Sequence, residues 1–276
     1  MNIRRISAAA AITAAALGLA ACGSSDDGGS TGGSGSIKIG IKFDQPGLGL
    51  KDGDKYTGFD VDVATYIADK LGYAADKIEW VQAPSAQRET LISTGQVTLI
   101  AATYSITDSR KEKVSFAGPY FIAGQDLLVQ SSNTDITGPD SLAGKKLCSV
   151  TGSTSAQKVK DKVPGVNLQE FGTYSECVAA LSAGSIDAVT TDDTILAGYA
   201  AQDTYKGKLK VVGAPFSEER YGVGLKKGDT ELCNKVNDAI TSMTSDGSWQ
   251  KFVDNNFGPA DYKAGAGNPP TPDACS

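Results

Sequence analysis

The sequence predicts an α/β fold in two similar halves, each a mostly parallel sheet with helices packed against it. Two observations carry this. From residue 37 onward, stretches that alternate apolar and polar side chains are separated by helix-like stretches with an apolar face. In addition, "LISTGQVTLIAAT" (91–103) matches "ALSAGSIDAVTTD" (180–192). Each is a helix end, a glycine and an apolar strand with a polar residue at its exit. Thr103 and Asp192 both lie eight residues after their glycine, Gly95 and Gly184. Ligands of open α/β sheets bind beyond the carboxyl ends of the strands, so these exits mark where a site should lie.

The first residues are not part of that fold. Residues 1–21 have a basic start at Arg4 and Arg5 and then the apolar run "AAAAITAAALGLA", which reads as a secretion signal. That run is too short for a membrane span of ~20 residues. It ends in "LAAC", a lipobox, so Cys22 is expected to be lipidated as the first mature residue. Residues 22–36, Gly- and Ser-rich with no apolar residue after Cys22, cannot bury a core and should act as a flexible tether. The expected location is therefore extracytoplasmic, held to the outer face of the membrane by lipid alone.

Charge and residue types exclude several function classes. Loss of the leader removes two arginines and no acids, leaving 24 basic against 32 acidic residues, net −8. That disfavours nucleic acid and anionic lipid as partners. The chain has no histidine, which removes Ser-His-Asp and Cys-His catalysis and His-based metal sites. There is no GxGxxG or P-loop motif, and no cofactor or metal is expected. Besides Cys22 there are four cysteines, an even number in an exported chain. Their spacing favours Cys148–Cys177 and Cys233–Cys275, each closing within one region; four free buried thiols are the alternative.

In chain order, "SIKIGIKF" reads as a strand and "GFDVDVATYIADKLG" as a helix with Phe59, Val63, Tyr66, Ile67 and Leu71 on one face. Asp60 and Asp62 suit its first turn and Gly72 its C-terminal cap. A strand "KIEWVQA", a helix "SAQRETLIST" and a strand "VTLIAAT" follow. The second half repeats the plan: strand "KKLCSV", a Ser/Thr-rich turn into helix "TGSTSAQKVKDK", helix "SECVAALSA" and strand "SIDAVTT". A β-rich "ERYGVGLKKGD", helix "TELCNKVNDAITSMTSDG", a last helix near "WQKFVDNNFG" and an irregular tail from Ala260 complete the chain. In "AATYSITDSR" (101–110) an apolar strand turns into Thr103, Ser105, Thr107 and Arg110, a set that suits an anion, with a helix N-terminus beyond it.

These stretches resemble the polar-amino-acid solute-binding proteins that feed ABC importers. The motifs are "GFDVDVATYIADKLG", "LISTGQVTLIAATYSITDSRKEKVSFAGPYF", "GSIDAVTTDDTILAGY" and "YGVGLKKGDTEL", which cover most of residues 37–260 in order. Within the family, "KFDQPGLGL", "PSAQRETL", "LCSVTGSTSAQKVK" and "TTDDTIL" are most similar to glutamate-binding lipoproteins of high-GC Gram-positive bacteria. The resemblance implies a two-lobed periplasmic-binding-protein-like (type II) fold with a two-segment hinge at "AGQDLLVQ" and "ERYGVGL". Lobe 1 would be residues 37–125 plus 221–260, lobe 2 residues 126–220, and 261–276 a C-terminal tail. The implied function is capture of a free amino acid and its delivery to the permease subunits, by a monomer, with no bond made or broken.

The resemblance also implies site roles. Arg110 grips the ligand's α-carboxylate, helped by Thr103 and Ser105; guanidinium suits it because it meets a carboxylate in a planar fork. Asp192 holds the α-ammonium, with Thr191 beside it; a shift of one residue would give that role to Asp193. Ser153 and Thr154 bond the ligand, or simply cap the next helix. Ser85 and Arg88 stand where acidic-ligand binders carry a serine and an arginine for the side-chain carboxylate, and Lys42 adds a cation. Arg88 could instead be an exposed helix residue paired with Glu89 or Asp62. Three cations against one acid match glutamate, whereas a neutral ligand would leave a buried cation unpaired. Phe43 and Tyr104 are candidates for an aromatic cushion. Two other functions fit the scaffold: a cyclohexadienyl-dehydratase-like enzyme, and a sensory module with a membrane span, of which none follows Phe257. Aspartate or glutamine are the alternative ligands.

Overall fold

The computed structural model describes residues 35–275. The expected leader (1–21), Cys22 and the tether as far as residue 34 lie outside them. Strand β1 (Ile37–Ile41) leads into a small antiparallel sheet of β2 (Asp44–Gln45), β3 (Gly49–Asp52) and β4 (Lys55–Thr57). No periodicity announces that sheet, because strands this short show too little alternation. Helix α1 (Phe59–Lys70) buries Phe59, Val63 and Ile67 as the spacing predicts, and Gly72 follows its cap at φ 90°. The chain continues through β5 (Ile78–Gln82), α2 (Arg88–Ser93), β6 (Leu99–Ile100), α3 (Asp108–Lys111) and β7 (Val114–Ala123).

Three elements are shorter than expected. Helix α2 is preceded by a 3-10 turn over Ser85–Gln87. Strand β6 keeps only two ladder residues, because the chain turns sharply at Thr103, which has a left-handed φ of 46°. The "helix" after the Arg110 turn is likewise one turn long, and its Thr107 cap takes the Arg110 amide at 3.3 Å. An anion there must therefore be held by side chains, not by a helix terminus.

The second half runs β8 (Gln125–Gln130), β9 (Lys146–Val150), α4 (Thr154–Lys162), β10 (Asn167–Phe171), α5 (Tyr174–Ser182), β11 (Ala188–Asp192), α6 (Asp193–Ala201) and β12 (Leu209–Val211). Thr173 and Glu176 close a reciprocal cap on α5. The chain then returns through β13 (Glu219–Lys226), α7 (Thr230–Ser245) and α8 (Ser248–Phe257).

The strands form two five-stranded sheets, β5-β1-β6-β13-β7 and β10-β9-β11-β8-β12. The repeated strands β6 and β11 hold the middle place in each, and their glycines Gly95 and Gly184 share φ near 71° and 74°. The sheets are mixed, not mostly parallel: β13 is antiparallel to β6 and β7, and β8 to β11 and β12. Strands β8 and β13 enter directly from the other sheet, without the helical crossover that parallel neighbours need. Gly124 alone separates β7 from β8, and residues 212–218 separate β12 from β13. All of "ERYGVGL" lies in β13, so the expected boundary at 220/221 falls within that strand. The crossings touch: a Cβ on Gly124 would meet the Pro215 Cβ at 2.7 Å.

Helix α8 is fixed to the first sheet by aromatic packing. Phe59 meets Phe121, Trp249 and Phe257 with ring centroids 5.3, 6.3 and 5.2 Å away, and the Trp249 indole donates to Tyr120 O at 2.8 Å. The cysteines pair as the spacing predicts, Cys148–Cys177 tying β9 to α5 and Cys233–Cys275 tying α7 to the tail. They close spans of 29 and 42 residues, for which chain entropy gives about 3–4 kcal/mol each. Replacing both Cys233 and Cys275 with serine should accordingly lower the urea midpoint and steepen the slope, because the unfolded chain expands; an unchanged midpoint would contradict this.

Candidate ligand-binding cleft

The exits of β6 and β11 face each other across a cleft between the two sheets. A narrow inner cavity is lined by Ser85, Arg88 and Thr103 on one side and by Ser153, Thr154, Ser155, Tyr174, Thr191, Asp192 and Ile195 on the other. A wider outer cavity shares Ser85, Ser153 and Thr154 with it and adds Glu89, Arg110, Lys113 and Lys158. Most of the expected site residues thus line the inner cavity, and Arg110 stands at its mouth. Lys42 and Ser105 lie just behind the lining: Lys42 Nζ donates to Ser85 Oγ at 2.8 Å, and Ser105 Oγ is 3.4 Å from Thr154 Oγ1.

One wall is cationic and buried, with Lys42 4%, Arg88 2% and Arg110 8% exposed. Arg88 is therefore not an exposed residue paired with Glu89 or Asp62. Its Nη1 donates to Ala102 O at 2.9 Å, and its Nε is a buried donor with no partner. The Tyr104 ring lies under both guanidinium groups, with centroid distances of 4.2 Å to Arg88 and 5.0 Å to Arg110. Tyr104 donates to Glu89 at 2.8 Å, and Glu89 is 3.4 Å from Arg110 Nε. Tyr104 is thus a platform for the arginines rather than a ligand cushion. Phe43 packs on Tyr56 at 5.3 Å and does not line the inner cavity. Arg110 also donates through Nη1 to Ser105 O at 2.8 Å and through Nη2 to Gly152 O at 3.1 Å, which leaves one hydrogen on each Nη for a bidentate acceptor.

This wall is held by Asp60. Its Oδ2 accepts the Thr103 amide at 2.9 Å and its Oδ1 the Tyr120 hydroxyl at 2.6 Å, pinning a left-handed non-glycine turn that is intrinsically strained. The turn aims the Ala102 and Thr103 carbonyls at Arg88. Asp60 is not merely a first-turn acid: it is fully buried and lies near Arg88 and Lys42.

The other wall is acidic. Asp192 ends β11; its Oδ2 accepts the Tyr221 hydroxyl at 2.7 Å, and Oδ1 is 3.4 Å from Ser155 Oγ. Thr191 Oγ1 is 3.5 Å from the same serine. Asp193 points elsewhere, accepting the Thr194 amide at 2.8 Å, the Gly124 amide at 3.3 Å and the Tyr262 hydroxyl at 3.2 Å. It braces a crossing strand, so of the two neighbours Asp192 faces the cavity. Ser153 both caps α4, accepting the Ala156 amide at 3.0 Å, and lines the cavity. Ser105 gives its single hydrogen to Glu219 at 2.7 Å. With that hydrogen directed at Glu219, the Ser105 oxygen is left as an acceptor toward the cleft.

Burial changes the formal charges. Desolvation, then Arg88, brings Lys42 down to about 7, and desolvation, then Arg110, brings Arg88 to about 10. Desolvation, then the neighbouring Glu219 carboxylate, holds Asp192 well above the carboxylate range, and desolvation raises Asp60 to about 6. The two walls thus carry less charge than a count of three cations against one acid implies. Opposite charges brought in by a ligand would restore it.

Four supporting residues escape a reading by local pattern: Asp60, Glu219, Tyr221 and Tyr174. A signal existed for two. Asp60 shares a helix face with Ala64 and Ile67, and Glu219 shares a strand face with Tyr221, Val223 and Leu225; an acid at the end of an apolar face needs a buried partner. No comparable signal marks Tyr174, whose place in the cavity depends on α5 packing against β9 and β11.

The fold agrees with three comparisons. The model of the bacterial extracellular solute-binding proteins, family 3, matches residues 37–259. The chain is 49% identical to the glutamate-binding protein GluB of Corynebacterium efficiens, over 94% of this chain and 92% of that one. It is 35% identical to the ABC transporter glutamine-binding protein GlnH of Bacillus subtilis, over 78% of this chain and 79% of that one. Among solved structures, an ancestral arginine-binding protein bound to arginine superposes with a TM-score of 0.75 at 36% identity, covering 81% of this chain and 98% of that one. The chain belongs to the family 3 bacterial extracellular solute-binding proteins.

Proposed function

We propose that the protein is a lipid-anchored receptor that closes on glutamate and presents it to an ABC permease. The observation that carries the ligand is the buried wall of Lys42, Arg88 and Arg110, with an unpartnered donor on Arg88, opposite Asp192. A dicarboxylic amino acid has two anions for one wall and an ammonium for the other. The α-carboxylate falls to the Arg110 fork and the ammonium to Asp192 and Ser105. The side-chain carboxylate falls to Arg88 and Lys42, with Ser85 orienting the lysine. Ser153, Thr154 and Thr191 supply the remaining hydroxyls. The likeness to GluB supports the same ligand. Aspartate is one methylene shorter, a difference of only about 1–3 kcal/mol in pocket fit.

Closure is a population shift driven by a ligand that touches both lobes. We place the hinge at Gly124 and residues 212–218, with the lobes on either side. A thermal-shift screen of the amino acids tests the reading: glutamate should give the largest rise in Tm, and a larger rise with glutamine or arginine would contradict it. Anchoring has its own test. Cys22→Ala should release the protein into the medium, whereas unchanged membrane retention would rule out a lipid anchor on this cysteine.

Binding should also move protons. Above about pH 7 Lys42 is largely neutral without ligand, and a bound carboxylate restores its proton, so binding takes up a proton and weakens as pH rises. Asp192 acts oppositely: its raised carboxyl loses its proton to meet the ammonium, so this contribution weakens as pH falls. Lys42→Met removes the uptake alone. Calorimetry at pH 8 in two buffers of different ionisation enthalpy should show uptake smaller by up to ~1 proton than in the unaltered protein. Equal uptake would contradict the assignment of Lys42.

A further inference from the structure

Outside the ligand cavity the lobes meet at a second cluster. Asp44, in β2, accepts the Tyr199 hydroxyl on its backbone oxygen; its carboxylate Oδ2 is 3.2 Å from the same hydroxyl and accepts the Ser175 amide at 3.2 Å. Ser175 lies in the first turn of α5 and Tyr199 in α6, so both partners belong to the other lobe. Tyr199 is 2% exposed. Burial, then the charge of Asp44, pushes its hydroxyl far above the usual phenol range, so it remains a donor.

Two residues beyond Asp44, Pro46 O presses on α6 at Gly198, where an added Cβ would lie 2.1 Å from that oxygen. Only glycine permits the contact. Glycine inside a helix is less stable than alanine, so a close approach of this kind is the reason to have it there. None of these residues lines the inner cavity. The same stretch of chain nevertheless carries Lys42, bonded to Ser85 at 2.8 Å, and Gln45, whose Oε1 is 3.2 Å from Thr103 Oγ1.

We propose that Asp44 and Gly198 form a latch between the lobes, positioning residues that set how long the closed receptor keeps its ligand. A ligand anion that fixes Lys42 also fixes the backbone two residues later, which seats Asp44 on α5 and Pro46 on Gly198. The free energy of that contact adds to the affinity without touching the ligand. The latch rests on the amino-acid receptor reading but not on the identity of the amino acid.

The test is Gly198→Ala and, separately, Asp44→Ala, in the full chain, with radiolabelled L-glutamate and a fluorophore pair placed one on each lobe. Gly198→Ala should leave the ligand-free Tm equal or higher, because alanine favours the helix. It should raise koff about tenfold, with kon within about twofold, and lengthen the interlobe distance of the bound state. Asp44→Ala should raise koff about threefold to tenfold. If the unaltered protein takes another amino acid in the thermal-shift screen, that amino acid becomes the probe; the glutamate assignment then fails while the latch is still measured. Release at the unaltered rate by both variants overturns the latch. So does a Gly198→Ala protein whose ligand-free Tm falls, since that would mark an ordinary packing position.

Discussion

Arg110→Gln is expected to weaken glutamate binding by about two to four orders of magnitude while the protein stays folded. The fork on Arg110 offers two charge-assisted hydrogen bonds, each worth about 1.5–3 kcal/mol, and glutamine supplies neither the geometry nor the charge. The loss should be equal for glutamate, aspartate and glutamine, because every amino acid carries the α-carboxylate. Arg110→Lys should recover only part of it, since an ammonium cannot make the fork. Titration calorimetry checks this, with circular dichroism confirming the fold; a loss below about fivefold would remove Arg110 from the site.

Arg88→Met has a different signature. The methionine keeps most of the apolar stem and removes the charge. Glutamate should weaken about 100-fold while glutamine changes little, so the order of the two ligands closes up or reverses. Arg88 is also among the largest influences lowering Lys42, so its loss should let the lysine rise and move the pH dependence of binding upward. Equal weakening of both ligands would show that Arg88 supports the wall without choosing the side chain.

How far the sequence shows this site depends on how local each signal is. The repeat around Gly95 and Gly184 locates Thr103 and Asp192 because both lie at the exits of middle strands, and a strand exit is a local pattern. The cysteine pairs are legible for a similar reason, each closing within one region. The direction of the Ser105 hydroxyl is not legible, since its acceptor Glu219 is 114 residues away. The role of Asp60 is hidden too: its partner Thr103 is 43 residues on and adopts a φ that threonine rarely takes. The small sheet β2–β4 is missed because its strands are too short to alternate, although it carries Lys42's neighbours onto the other lobe. Charge counting finds the right residue types for the site but not their protonation, which burial decides.

Side-by-side calorimetry of L-glutamate and L-glutamine on the unaltered protein tests the central claim most directly. Buried Lys42 and Arg88 opposite Asp192 predict that glutamate binds at least about tenfold more tightly. Equal affinity, or tighter binding of glutamine, would contradict the account.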